Sequence, residues 1–171
     1  MAGFGAILNP EWTEPWVAQI GKYILNFGAI EHISFLWIVE LEEAEVELDD
    51  LSAAPFSRRV NRILSLVKKR ALSPALTAEI RDAWRAATRL SKLRNDVAHS
   101  PIIFGWHDQD RNRPPDFIGC FNMRRLQEAN HALPPLVEFS TLHEGVDEAA
   151  ALPSVLIKLL NRVVRELHSE S

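Results

Sequence analysis

The chain has 171 residues, 47% of them hydrophobic and 25% charged, which suits one globular domain with a sizeable core. Its single cysteine, Cys120, excludes an internal disulfide and with it a disulfide-stapled scaffold. The formal net charge of −4 speaks against a nucleic-acid partner, yet it averages over a strong asymmetry. Met1 to Phe56 hold ten acids and one base, Lys22, whereas Ser57 to Asn95 hold eleven bases and two acids, Glu79 and Asp82. The remainder holds eleven acids and seven bases. A phosphate backbone responds to the local field of that positive middle third. On charge alone, the same third also reads as a solvated helical face paired with the acidic first third.

The opening MAGFGAILNPEW lacks the basic start and long apolar core of a signal peptide. The most apolar segment, Ile20 to Val39, carries Lys22, Glu31 and His32, which is too polar for a membrane span. A cytoplasmic protein with no membrane partner is expected. The first helix is predicted from about Glu14 to Leu41. Trp16, Ile20, Tyr23, Ile24, Phe27 and Ile30 follow helical spacing, with Pro15 in the first turn. From Ile33 to Val39 the apolar residues surround the axis, as on a helix buried on several faces or facing another subunit. Glu42 to Asp50 form an acidic run that leads into a loop.

Pro55 and Ser57 signal a second helix that continues to about Arg70. Its inner stripe is Val60, Ile63, Leu64 and Val67, with Arg58, Arg59, Arg62, Lys68 and Lys69 expected outside it. Ser73-Pro74 starts the third helix, which runs to Ala98 with Ile80, Ala83, Trp84, Ala87, Leu90 and Val97 facing inward. Arg81, Arg85 and Arg89 lie four residues apart and stack on one outer stripe. After Pro101 the segments IIFGW and DFIGCF flank a polar HDQDRNRPP, which reads as a β-hairpin with a long loop or an irregular arm. Met123 to Leu133 is ambiguous. The last helix is expected near Thr141, where Thr141 and Glu144 have capping-box spacing. Leu152 to Leu167 carry its apolar face, and Pro153 is expected to kink it or mark a second start.

Chemistry concentrates at the end of the third helix, in LSKLRNDVAHSPII from Leu90 to Ile103. Asn95 and His99 share a face, while Arg94 and His99 are roughly 140° apart around an ideal helix. They converge only if the helix loosens near Ser100-Pro101 or if two copies of the chain meet along it. A cation at a helix C-terminus is favoured by the dipole, histidine exchanges protons near neutral pH, and arginine presents a donor fork to phosphate oxygens. These are the parts for metal-independent RNA cleavage. A base deprotonates the ribose 2′-hydroxyl, a cation stabilises the phosphorane, and an acid protonates the leaving 5′-oxygen. The plainer alternative is a helix end whose side chains only pair and cap.

RNDVAH, Arg94 to His99, resembles the R-x4–6-H signature of HEPN domains (higher eukaryotes and prokaryotes nucleotide-binding), including the polar residue after the arginine. NFGAIEH, Asn26 to His32, resembles the first helix of bacterial HEPN-like proteins whose third helix ends in RN-x-x-AH. Helix order and spacing agree from Trp12 to Pro101. The resemblance implies an all-α bundle, a homodimer with the motif at its two-fold interface, and metal-independent endoribonuclease activity in toxin–antitoxin, phage-defence or RNA-processing systems. By the same resemblance Arg94 and His99 are catalytic and Asn95 orients or binds substrate. An antitoxin or defence-system protein is an implied partner beside RNA. The chain departs from the pattern after His99, where Ser100-Pro101 stand in place of the H-x-Tyr ending of many active members. The second reading is therefore a HEPN-like RNA-binding or protein-interaction module without catalysis.

Glu31 lies among apolar residues and needs a partner; Arg94 is expected in that role, its guanidinium oriented by the carboxylate, the alternatives being a pair with Arg62 or another base, or a rim position facing water. Arg81, Arg85 and Arg89 are expected to guide RNA. His107, Asp108 and Asp110 match no metal-site spacing, and Cys120 reads as a buried thiol. No phosphate-loop or dinucleotide fingerprint is present, so neither metal nor cofactor is expected. Among the tryptophans, Trp84 is placed in the core and Trp106 is the best base-stacking candidate. The expected architecture is one domain over residues 1–171, an all-α antiparallel bundle of four to five helices. Core helices and motif occupy 12–101, a short β-hairpin-like arm 102–122, and the C-terminal helix 141–168.

Overall fold

The apolar spacing that begins at Trp16 continues to Leu41, and in the computed structural model it forms one helix, α1 (Pro10–Leu41). The structure describes residues 10–42, 48–70, 72–99, 102–105, 117–120 and 137–169. Four more helices follow among these residues: α2 (Leu48–Ala53), α3 (Phe56–Lys69), α4 (Pro74–Ala98) and α5 (Phe139–Ser169). The protein is an all-α bundle. Two four-residue strands, β1 (Ile102–Gly105) and β2 (Phe117–Cys120), pair antiparallel with Ile102 opposite Cys120 and Gly105 opposite Phe117. The chain that would complete an arm around them lies outside the described residues. So do Trp106, His107, Asp108, Asp110 and the ambiguous 123–133 segment.

Contacts between helices fix their directions. Trp16 meets Phe139 edge-on at 5.2 Å between ring centroids, and Trp37 Nε1 donates to the Leu156 carbonyl at 3.2 Å. Residue numbers rise together, so α1 and α5 run parallel. α4 runs against both: the Tyr23 hydroxyl donates to the Leu90 carbonyl at 2.7 Å, Trp37 packs on Trp84, Arg89 pairs with Glu148, and Arg162 Nη2 donates to Glu79 at 2.9 Å. α3 starts level with the middle of α1, where Phe56 meets Phe27 at 5.1 Å, and runs parallel to it as far as Arg70, which donates to the Leu41 carbonyl at 2.7 Å. The segment between α4 and α5 consequently leaves and re-enters the bundle at one end, the end that carries the motif.

The core is aromatic at its centre. Trp37, Trp84, Tyr23, Phe27, Ile30, Ile63, Ile80 and Leu90 are fully buried. Trp37 and Trp84 cross at 5.7 Å and 90°, an edge-to-face arrangement that suits their quadrupoles. Pro74 occupies the first position of α4, as its fixed φ favours. The donors of Ser73 at that end are taken by Glu166 of α5, with Ser73 Oγ 3.3 Å from the carboxylate.

Several expectations are corrected. Arg59 is not on the outer face; it is 5% exposed. Nε donates to Ser34 Oγ at 2.9 Å, Nη1 to the Ala54 carbonyl at 2.7 Å and Nη2 to Glu31 Oε1 at 3.4 Å. The guanidinium lies 4.5 Å from the Phe35 ring centroid and 5.6 Å from that of Phe56. The partner of Glu31 is therefore Arg59 and not Arg94. Arg94 lies beyond Leu90, which meets Tyr23, so it is about 18 Å along α1 from Glu31. Residues 48–53 are helical rather than loop, pinned by buried Leu51. α1 begins at Pro10, which places Pro15 inside the helix. α5 begins at Phe139, its first turn closed by Leu142 N–H to the Glu138 carbonyl at 3.1 Å, so Thr141 is interior and caps nothing. α5 is also continuous across Pro153.

The Thr13–Leu41 part of α1 is long and apolar enough to cross a membrane by length and composition, with mean hydropathy 1.4 and 39% of its most apolar window buried. Its inner side forms the bundle core. Val17, Leu25, Leu36 and Val39 on its other side are exposed.

Candidate nucleic-acid interface

α4 carries both the basic stripe and the motif, and its burial pattern arranges them. Leu76, Ile80, Ala83, Trp84, Ala87, Leu90 and Val97 are buried, which turns Arg81, Arg85, Arg89, Lys92, Asn95 and His99 outward. Arg81 and His99 are eighteen residues apart in the sequence, five full turns, so they lie on one line about 27 Å long. The structure thus brings the three arginines, Asn95 and His99 onto one exposed face. Lys92 completes that face and was missed by a reading confined to a spacing of four. The two steps of three that continue the stripe from Arg89 through Lys92 to Asn95, and the step of four to His99, were legible in the sequence.

The charges are not equally available. Arg85 pairs with Asp82 at 3.5 Å with both side chains exposed, and Arg89 is drawn to Glu148 of α5. Arg81 and Lys92 have no acidic partner among the described residues. Arg94 is half-buried, and its Nη1 donates to Asn95 Oδ1 at 3.2 Å. His99 is exposed at the C-cap with φ −117° and ψ 11°, so the helix persists to the motif's end. With no loosening before His99, Arg94 and His99 keep their angular separation and share no hydrogen bond. Within one chain the structure joins Arg94 to Asn95 and places His99 with Asn95 on the exposed line. It does not close Arg94 and His99 around one target.

Two contacts set the depth of the last turns of α4. The Tyr23 hydroxyl binds the carbonyl of Leu90, the same carbonyl that accepts the Arg94 N–H in helical geometry. Burial, assisted by Glu148 and opposed by Arg89, pushes the Tyr23 hydroxyl well above its ordinary value and keeps it a donor. On α5, Gly145 faces Leu93; a Cβ at Gly145 would stand 2.5 Å from Leu93 Cδ2 and 3.4 Å from Tyr23 Cε2. The missing side chain lets α5 approach α4 one residue before Arg94. Farther along, the Arg162 hydrogen bonds hold the Glu79 carboxyl below the usual carboxylate range and raise Arg162 in turn. That pair zips the opposite end of α4 to α5.

Among the described residues no group of three or more His, Cys, Asp or Glu side chains converges as metal ligands would. Comparison with protein-family models, with curated proteins and with solved structures gives no match.

Proposed function

We propose that the chain is a HEPN-like protein that binds RNA along α4 and cleaves it without a metal, working as a homodimer in the cytoplasm. The supporting observation is that Asn95 and His99 continue the exposed line of Arg81, Arg85, Arg89 and Lys92, so an RNA held on the cations runs onto the motif. In this reading Arg94 steadies the phosphorane, His99 moves the proton to or from the reacting oxygens, and Asn95 orients Arg94. The angular separation of Arg94 and His99 is the reason a second copy is needed: its motif supplies the group that one chain cannot bring round. An antitoxin or defence-system partner belongs to the same reading. A specific observation favours a non-catalytic RNA-binding module as the second reading: Arg94 is engaged by Asn95, and Ser100-Pro101 leave no phenol after His99.

The test is RNA cleavage in excess EDTA by the parent and by His99→Ala. A positioned acid–base group is worth roughly 10²–10⁴-fold, so the variant should lose at least about 10² in rate. An Arg81→Glu/Lys92→Glu protein should bind RNA more weakly, with a shallower salt dependence. Cleavage undiminished in His99→Ala rejects catalysis by the motif. RNA binding without cleavage in the parent selects the module.

A further inference from the structure

At the corner between α2 and α3 lies a pocket of about 340 Å³ lined by Leu51, Ala53, Ala54, Arg58, Arg59 and Arg62. Its size falls within the range of small-molecule sites, roughly 300–1,000 Å³. Among the described residues that line it, the charged side chains are the three guanidinium groups. Each stands in a different condition. Arg59 is buried, and fixed through bonds to Ser34, Ala54 and Glu31 that leave part of its donor fork unspent. Arg62 is 42% exposed and pairs with Glu42 at 2.9 Å, so an anion from solvent reaches its guanidinium and can replace that carboxylate. Arg58, one turn before Arg62, is exposed and has no acidic partner among the described residues.

The placement of Arg58 is electrostatically unfavourable. It sits in the first turn of α3, where the helix dipole disfavours a cation. α3 has no acid in its first turn and no side-chain cap. A bound anion reverses the sign of both effects. Arginine forks suit a multi-oxygen anion, and Leu51, Ala53 and Ala54 offer an apolar wall for the rest of a small molecule. We propose that the Arg58–Arg59–Arg62 pocket is a binding site for a phosphate group, carried by inorganic phosphate or a small phosphomonoester. On binding, Arg62 exchanges Glu42 for phosphate oxygens and Arg58 gains an anionic partner. The pocket is on α3, level with Glu31, whereas the motif is at the other end of α1; this proposal stands or falls independently of the RNA reading.

Titration calorimetry of the full chain with sodium phosphate, adenosine monophosphate and sodium acetate, at matched ionic strength, tests it. Saturable phosphate binding with Kd of about 1 mM or tighter is expected, weakened at least tenfold in Arg58→Gln/Arg62→Gln. Tighter binding of adenosine monophosphate than of bare phosphate would identify the phosphomonoester as the ligand, and equal binding the free ion. The melting temperature of Arg58→Gln without phosphate should equal or exceed that of the parent, which a purely structural role for Arg58 would not produce. The proposal is overturned if no saturable binding occurs, if acetate binds as well as phosphate, or if the double variant binds unchanged. Loss of phosphate binding in Arg81→Gln/Lys92→Gln alone would place the anion on α4 and overturn it too.

Discussion

Arg59→Ala should destabilise the protein by about 2–3 kcal/mol, while Glu31→Gln should cost less than about 1 kcal/mol. The buried guanidinium loses a 2.9 Å bond to Ser34 Oγ and a 2.7 Å bond to the Ala54 carbonyl. Each is worth roughly 1.5 kcal/mol when the donor is charged. Its position 4.5 Å over Phe35 adds about 1 kcal/mol, and the aliphatic stem adds packing. Against these stand about 2 kcal/mol of side-chain entropy released by truncation. Glu31 is different in kind: it is 33% exposed, its contact with Arg59 is a long 3.4 Å, and water replaces the partner it loses. Urea unfolding of both variants, with unchanged slope, reads the comparison directly. A Glu31→Gln cost equal to or larger than that of Arg59→Ala would show that the ion pair, and not the bonds to Ser34 and Ala54, holds α1 to α3.

Tyr23→Phe should cost about 1 kcal/mol at neutral pH, because Leu90 keeps its helical partner and only the extra bond is lost. The raised Tyr23 hydroxyl contributes stability that is complete below its ordinary 10.0 and is lost as pH rises beyond it, so urea midpoints above about pH 10 should fall less steeply in the variant than in the parent. Trp37→Phe and Trp84→Phe remove equal volume from fully buried sites, but Trp37 Nε1 is bonded to Leu156 whereas Trp84 Nε1 has no partner among the described residues. Trp37→Phe should therefore be the costlier by about 2 kcal/mol in denaturant unfolding. Gly145→Val should cost about 1–3 kcal/mol by overpacking against Leu93, and Gly145→Ala markedly less, since helix propensity gains about 1 kcal/mol while Leu93 turns aside.

The helices were readable because their apolar periodicity is long and local. Trp16 to Ile30 and Ile80 to Val97 each repeat the helical step often enough to fix the element and its inner face. Boundaries were less legible, since they depend on partners far along the chain. The start of α4 is satisfied by Glu166 from α5, and α5 begins before the Thr141–Glu144 pattern that resembles a cap. Arg59 shows the limit of reading residue type over spacing. Its position, three after Phe56 and four before Ile63, belongs to the inner stripe of α3. Its charge argued for the surface, and only Ser34, Phe35 and the Ala54 carbonyl, brought in by α1 and the α2–α3 corner, make burial tolerable.

The candidate interface divides along the same line. Residues on one face of one helix are a matter of arithmetic, so the alignment of Arg81, Arg85, Arg89, Asn95 and His99 was open to sequence reasoning, and Lys92 should have been found with them. Which cations stay available is not local. Glu148 reaches Arg89 from α5 because Gly145, three residues earlier, lets the two helices come close. The same closeness holds Leu93 and, through Tyr23 and Leu90, the turn that presents Arg94. A substitution at Gly145 therefore reaches the motif and the charge of the basic face together, although Gly145 itself lies on neither.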